Sequence, residues 1–325
     1  MKRTLFIAIC IVALTLVSCG NGKPDKVNGN ETTVDVSSNV ESFDVESSTE
    51  SGNDVSEDVS KEEYVIGSDV LIPNDINTED YVYDTENLKY IKGVWVEITG
   101  YKGDAKKLII PAEIDGKPVK RIFNKSFYGN TSVEGIYLED GIEVVCLSAF
   151  EKCIKLREVR LSNTLWSIDS GAFKECINLK EIYIPDSVTH IAHYAFNDCK
   201  SLRSVRLPTD IKDIFTCFDN CSSLKGTAIM PASQGEVYPI YPNCVGIKTL
   251  IIKGGTKISK NAFRGMTGLE EIHIPESVVD FEDIDGLFTD QKNLKKIYVV
   301  DGSYAAYALA DSVWGVYLCS EVEYE

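Results

Sequence analysis

The stretch Phe150-Glu151-Lys152-Cys153-Ile154-Lys155-Leu156 recurs as Phe173-Lys174-Glu175-Cys176-Ile177-Asn178-Leu179, Phe196-Asn197-Asp198-Cys199-Lys200-Ser201-Leu202 and Phe218-Asp219-Asn220-Cys221-Ser222-Ser223-Leu224. Tyr241, Cys244 and Ile247 continue the frame, then Phe263, Met266 and Leu269, and Phe288, Gln291 and Leu294. Phe127, Asn130 and Val133 open it. The aromatic positions 127, 150, 173, 196, 218, 241, 263 and 288 are 22 to 25 residues apart. A fixed period in this range is the signature of a stacked repeat.

Outward from the frame, each unit reads alike. After the Leu comes a short alternating segment, such as Glu158-Val159-Arg160-Leu161, Glu181-Ile182-Tyr183-Ile184 or Glu271-Ile272-His273-Ile274. Apolar and polar residues in strict alternation describe a half-buried strand. Pro185, Pro208 and Pro275 end such strands, since proline cannot donate to a ladder. A Ser-Val-Thr type stretch then runs to an Ala-Phe pair, expected as a tight turn or short helix. The burial available within one unit falls short of its ordering entropy, so units must stack and share a core. The expected fold is a curved repeat solenoid, with short parallel strands on its concave face and turns and short helices outside. It spans 64–325, with an N-terminal cap over about 64–126 and a C-terminal cap over about 296–325. The unit from Leu224 to Tyr241 departs from the pattern and carries Pro231 and Pro239, with Pro242 behind. An irregular outer loop is expected there, with a strand retained over Thr227 to Met230.

An Ala-Phe pair, two residues, Cys, two residues, Leu and an alternating strand ending in Ile-Pro resemble the BspA-type leucine-rich-repeat family. The resemblance covers about residues 95 to 310. Glu97 to Tyr101, Leu108 to Pro111 and Ile114 to Val119 are similar to the family's first unit. Lys296 to Tyr307 is similar to its last unit, running into a short helix. The resemblance implies a bacterial surface protein that binds host proteins, other cells or matrix.

The N-terminus points to export. Lys2 and Arg3 precede an apolar run from Leu5 to Leu14 that ends in Leu16-Val17-Ser18-Cys19-Gly20. This reads as a signal peptide over 1–18, too short for a stable membrane span. Its end resembles the bacterial lipobox, which implies cleavage before Cys19 and lipidation of its thiol. Two acyl chains would hold durably where one would not. Residues 20–63 carry 12 acidic residues against Lys23, Lys26 and Lys61, with little apolar content. That composition predicts a disordered tether from Cys19 to 63, with an r.m.s. span of roughly 35–40 Å. The whole chain carries −17, a balance that argues against nucleic acid and anionic membrane as partners.

Strand positions pointing away from the core form columns across the sheet. One reads Tyr137, Arg160, Tyr183, Arg206, Ile229, Ile251, His273, Tyr298, and its neighbour includes Glu158, Glu181 and Glu271. Tyr and Arg are the side chains most enriched at binding hot spots, so this lane is the candidate ligand face, with Tyr183 and Arg206 near its centre. The same residues also suit an exposed ladder that pairs only with itself. The cysteine column follows the repeat and not a pairing scheme, so buried free thiols are expected. Cys146, Cys217 and Cys319 fall off it. His190, His193 and His273 are the only histidines, and the first two are expected as surface residues without a metal. Asp280 to Gly286 fails the spacing of a calcium loop, and Gly254-Gly255 reads as a turn. No nucleophile–base constellation can be assembled from so few histidines. The expected protein is a non-enzymatic, cofactor-free surface lipoprotein at the cell membrane or cell surface. It would bind a protein or glycan, with its lipid as the only membrane contact. The alternative is an envelope scaffold without a specific soluble ligand.

Overall fold

Ten strands of one row, contributed once per turn, run from Lys107–Ile110 through Gly135–Leu138, Glu158–Arg160, Glu181–Tyr183, Ser204–Arg206, Lys225–Pro231, Gly246–Lys253, Glu271–Ile274 and Lys296–Val299 to Leu318–Ser320. The computed structural model describes residues 77 and 79–320. The signal peptide, Cys19, the tether and the start of the N-terminal cap lie outside the described residues. The row is parallel and hydrogen-bonded within three blocks, 107–160, 181–206 and 225–320. This is the parallel solenoid that the repeat predicts. The alternating residues behave as expected in most strands: Ile182, Leu250, Ile272 and Ile297 are buried and their neighbours reach the outer surface, whereas Ser204, Val205 and Arg206 are all buried.

A second parallel row occupies the side where turns and short helices were expected. It comprises Val96–Tyr101, Lys117–Ile122, Val144–Val145, Ser167–Ile168, His190–Ile191 and Asp213–Ile214, then Glu236–Val237, Lys257–Ile258 and Asp280–Phe281. Stretches such as Val188-Thr189-His190-Ile191 are β-branched and short, which favours strand over helix. Their backbone groups find partners one turn away, as Thr189 N does at Trp166 O and Lys212 N at Thr189 O. Among the described residues there is one α-helix, Tyr304–Ala310, whose N-cap Ser303 accepts from Ala306 N. No described helix is long and apolar enough to cross a membrane.

The third side is a tight turn around the aromatic frame. The residue just before the Cys position takes a left-handed φ in seven turns: Gly129, Lys152, Glu175, Asp198, Asn220, Asn243 and Gly265. Glycine, Asn and Asp fill five of these positions, as the αL region favours. The aromatic rings stack from turn to turn, with centroids 4.9 Å apart for Phe127 and Phe150, 5.1 Å for Phe150 and Phe173, and 5.3 Å for Phe173 and Phe196. Offset stacking of this kind adds to the burial term.

The unit from Leu224 to Tyr241 corrects the expectation of an irregular outer loop. Its long strand is Lys225–Pro231, and Glu236–Val237 keeps the second row by pairing with Lys257–Ile258. Neither strand pairs with the turn before it. Proline is tolerated at such an unpaired edge, which accounts for Pro231. Buried Ser233 bridges the gap instead, accepting from Ile214 N (3.4 Å) and donating to Lys212 O (3.3 Å). The stack of Phe218 on Tyr241 (5.6 Å) carries the core across.

Candidate functional face

The register aligns the candidate column within each of the three blocks. Tyr137 pairs with Arg160, Tyr183 with Arg206, and Ile229, Ile251, His273 and Tyr298 follow in order on adjacent strands. Their chemistry is mutual. The Arg160 guanidinium lies 4.2 Å from the Tyr137 ring centroid and that of Arg206 4.9 Å from Tyr183. His273 stacks on Tyr298 at 4.4 Å. A cation over an aromatic face is held by the ring quadrupole, so these side chains are ordered before any partner arrives.

The neighbouring carboxylates are also engaged. Glu158 meets Lys107 (3.3 Å) and accepts from Tyr81 Oη (3.2 Å), and burial together with this carboxylate pushes the Tyr81 phenol well up. Glu181 pairs with Arg203 at 2.7 Å. Glu271 pairs with Lys296 at 3.2 Å, and Lys296 Nζ donates to Tyr298 Oη at 3.0 Å. Just off this column, Glu270 sits between Lys295 and Lys248, which lower its pKa to about 2.

Arg206 differs from the exposed central anchor pictured for it. It is 7% exposed, its Nη1 donates to Ile184 O (2.9 Å) and its Nη2 to Asp186 Oδ2 (2.7 Å). The other Asp186 oxygen accepts from Thr209, and the guanidinium holds the Asp186 carboxyl below the usual range. Arg206 is thereby a brace at the edge of its block. The half-exposed members of the column are Tyr137, Arg160, Tyr183, Ile229, Ile251, His273 and Tyr298.

The second row brings together residues that the sequence left apart. Ser167, His190 and Asp213 sit in register on three adjacent strands. Ser167 Oγ donates to Asp169 (2.8 Å), while His190 Nε2 meets Asp213 (2.8 Å) and its Nδ1 meets Thr189 Oγ1 (2.7 Å). Burial raises the Asp169 pKa and lowers that of His193, which stacks on Phe215 at 4.8 Å. This row was legible in principle, because Ser167, His190 and Asp213 are spaced by the same period. Among the described residues no group of three or more His, Cys, Asp or Glu is placed to hold a metal. All eight described cysteines are free thiols, and all but Cys319 are buried.

A family model described as BspA type leucine rich repeat region matches residues 120–240 and 237–305 in six copies. No curated protein sequence matches the chain. Among solved structures, the chain is similar to a leucine rich repeat protein of T. pallidum at 22% identity and a TM-score of 0.46, over 71% of this chain and 97% of that one. It is similar to a leucine rich cell surface protein from Faecalibacterium prausnitzii at 19% identity and a TM-score of 0.30, over 70% and 96%. For the pneumococcal vaccine antigen PcpA the values are 16%, 0.38, 67% and 81%. The period, the aromatic–cysteine–leucine frame and the matched model agree: this chain belongs to the BspA-type leucine-rich-repeat family.

Proposed function

We propose that this chain is an exported lipoprotein that captures a protein or glycan at a cell surface through the outward face of its long-strand row. One observation carries the reading: Tyr137, Arg160, Tyr183, His273 and Tyr298 stand at the same position of their repeats, paired within their ladder blocks, and are half-exposed and pre-ordered by stacking. Rigid aromatic side chains with polar handles give contact area at low entropy cost. Membership of a repeat family whose members serve protein interaction and surface roles supports it. Lys2, Arg3, the apolar run and the lipobox-like Leu16-Val17-Ser18-Cys19 support export and anchoring at Cys19. The role is non-catalytic in this reading. The Ser167 hydroxyl is given to Asp169 and not to His190.

The test is a protein and glycan array probed with the full chain and with a Tyr137→Ala/Tyr183→Ala/Tyr298→Ala variant, circular dichroism verifying that both are folded. Capture by the parent with a loss of about tenfold or more in the variant is expected, as for hot-spot tyrosines. Equal capture by both would assign binding to another face. No capture by either would favour the scaffold role.

A further inference from the structure

One column of the repeat runs against the charge of the whole molecule. The residue that follows the buried leucine-type position of each unit is Glu134, Arg157, Lys180, Arg203, Lys225, Lys248, Glu270 and Lys295 in turn. Five successive turns, from Arg157 to Lys248, carry a cation there, and all five are exposed. The turns that hold them are stacked. Arg203 N donates to Lys180 O at 2.8 Å, and Lys225 pairs with Gly246 of the next turn, two residues before Lys248, where a bulge shifts the register. The strand ladder is interrupted between Arg157 and Lys180 and again between Arg203 and Lys225. There Cys176 Sγ donates to Phe150 O (3.1 Å) and Cys221 Sγ to Phe196 O (3.2 Å), so the turns remain neighbours. Exposed Lys155 and Lys200 lie two and three residues before the ridge on their own turns.

Arg203 and Lys248 are paired with Glu181 and Glu270, whereas Arg157, Lys180 and Lys225 form no salt bridge with a described residue. Glu158, beside Arg157, is already held by Lys107. Like charges repeated at about 4.8 Å repel one another, and an external anion would relieve that repulsion. The net charge of −17 does not cancel this field, because acids beyond about 8 Å are screened at physiological ionic strength.

We propose that this ridge binds a linear anionic polysaccharide, one bearing sulfate or carboxylate on its successive sugars. The pitch selects the class. A sugar unit advances an extended chain by about one turn of the solenoid, roughly 4.8 Å. Duplex nucleic acid presents a charge every ~1.7 Å of its axis. An extended acidic peptide repeats same-face carboxylates at roughly 6.6–6.8 Å. Exposed Ile154 and Ile177 beside the ridge offer apolar contact to sugar C–H faces. The inference does not need the tyrosine column, which lies three or four residues further along each strand.

The experiment titrates the full chain into fluorescein-labelled heparin oligosaccharide and polygalacturonate oligosaccharide at low and physiological salt. Three variants accompany it: Arg157→Gln/Lys180→Gln/Lys225→Gln, the charge-keeping Arg157→Lys/Lys180→Arg/Lys225→Arg, and a control off the ridge, Lys89→Gln/Lys102→Gln/Lys260→Gln. Binding to at least one polysaccharide is expected. The neutral ridge variant loses about tenfold or more at low salt, and its salt slope falls by about one for each cation removed. The charge-keeping variant and the control bind like the parent, and all melt alike. The proposal is overturned if neither polysaccharide binds, or if the neutral ridge variant and the control bind alike. It is also overturned if the charge-keeping variant loses binding as the neutral one does. Equal or tighter binding of a single-stranded oligonucleotide or polyglutamate of matched charge would overturn it too.

Discussion

Cys153, Cys176, Cys199, Cys221 and Cys244 each donate Sγ–H to the carbonyl of the aromatic residue one turn earlier, at 3.0 to 3.2 Å. The same carbonyls accept the backbone N–H of the column residue in their own turn, as Phe150 O does from Cys153 N. Gln291 fills the slot in the last full unit and repeats the bond, its Nε2 donating to Phe263 O at 2.6 Å. A donor to that carbonyl thus recurs in six turns, although Met266 fills the slot without one. Period and burial were readable from Cys153-x-x-Leu156, but the donor role was not, because its acceptor belongs to a different turn. Burial pushes the Cys153 and Cys244 thiols from 9.0 up to about 12. Unfolded thiols ionise near 9.0, so the folded state holds its protons longer as pH rises. This contribution is complete below pH 9 and is lost progressively as pH climbs toward about 12. The melting temperature is expected to fall above about pH 9, and Cys153→Ala/Cys244→Ala to flatten that fall while lowering stability at neutral pH. Thermal melts from neutral to alkaline pH check it, and parallel curves for parent and variant would contradict it.

At the scale of elements, the aromatic frame and the alternating segments marked each long strand, as Glu181-Ile182-Tyr183 illustrates. The second row was missed because Ser167–Ile168 and His190–Ile191 are two residues long, too short to show the alternation of a strand, although their spacing follows the repeat. The prolines between Leu224 and Tyr241 suggested a loop, yet Pro231 sits at a strand edge that no neighbour needs. The break in both rows before Lys225 is bridged at Ser233, which no pattern in the sequence could place. Ser233→Ala is expected to cost about 1–2 kcal/mol, since it leaves the Ile214 N–H without its acceptor. Denaturant unfolding measures the loss, and amide exchange at Ile214 should quicken relative to Ile191. Unchanged exchange would mean that the bridge contributes nothing.

Across the molecule, the net charge of −17 excluded polyanions only on average. A column read across turns shows Arg157, Lys180, Arg203, Lys225 and Lys248 together, which a sum over residues conceals. The candidate column was likewise legible by period, and Tyr137, Arg160 and Tyr183 stand where the spacing places them. The burial of Arg206 was not legible, because it follows from Asp186 and Ile184 O at the end of a block whose extent the repeat does not reveal. The most direct test of the central claim is an affinity scan of the captured partner along the column, with Tyr137→Ala, Arg160→Ala, Tyr183→Ala, His273→Ala and Tyr298→Ala made singly in the full chain. The account predicts losses of about fivefold or more at adjacent members of the column, contiguous along it, with folding unchanged. Losses scattered over both rows, or none at any of the five, would contradict it.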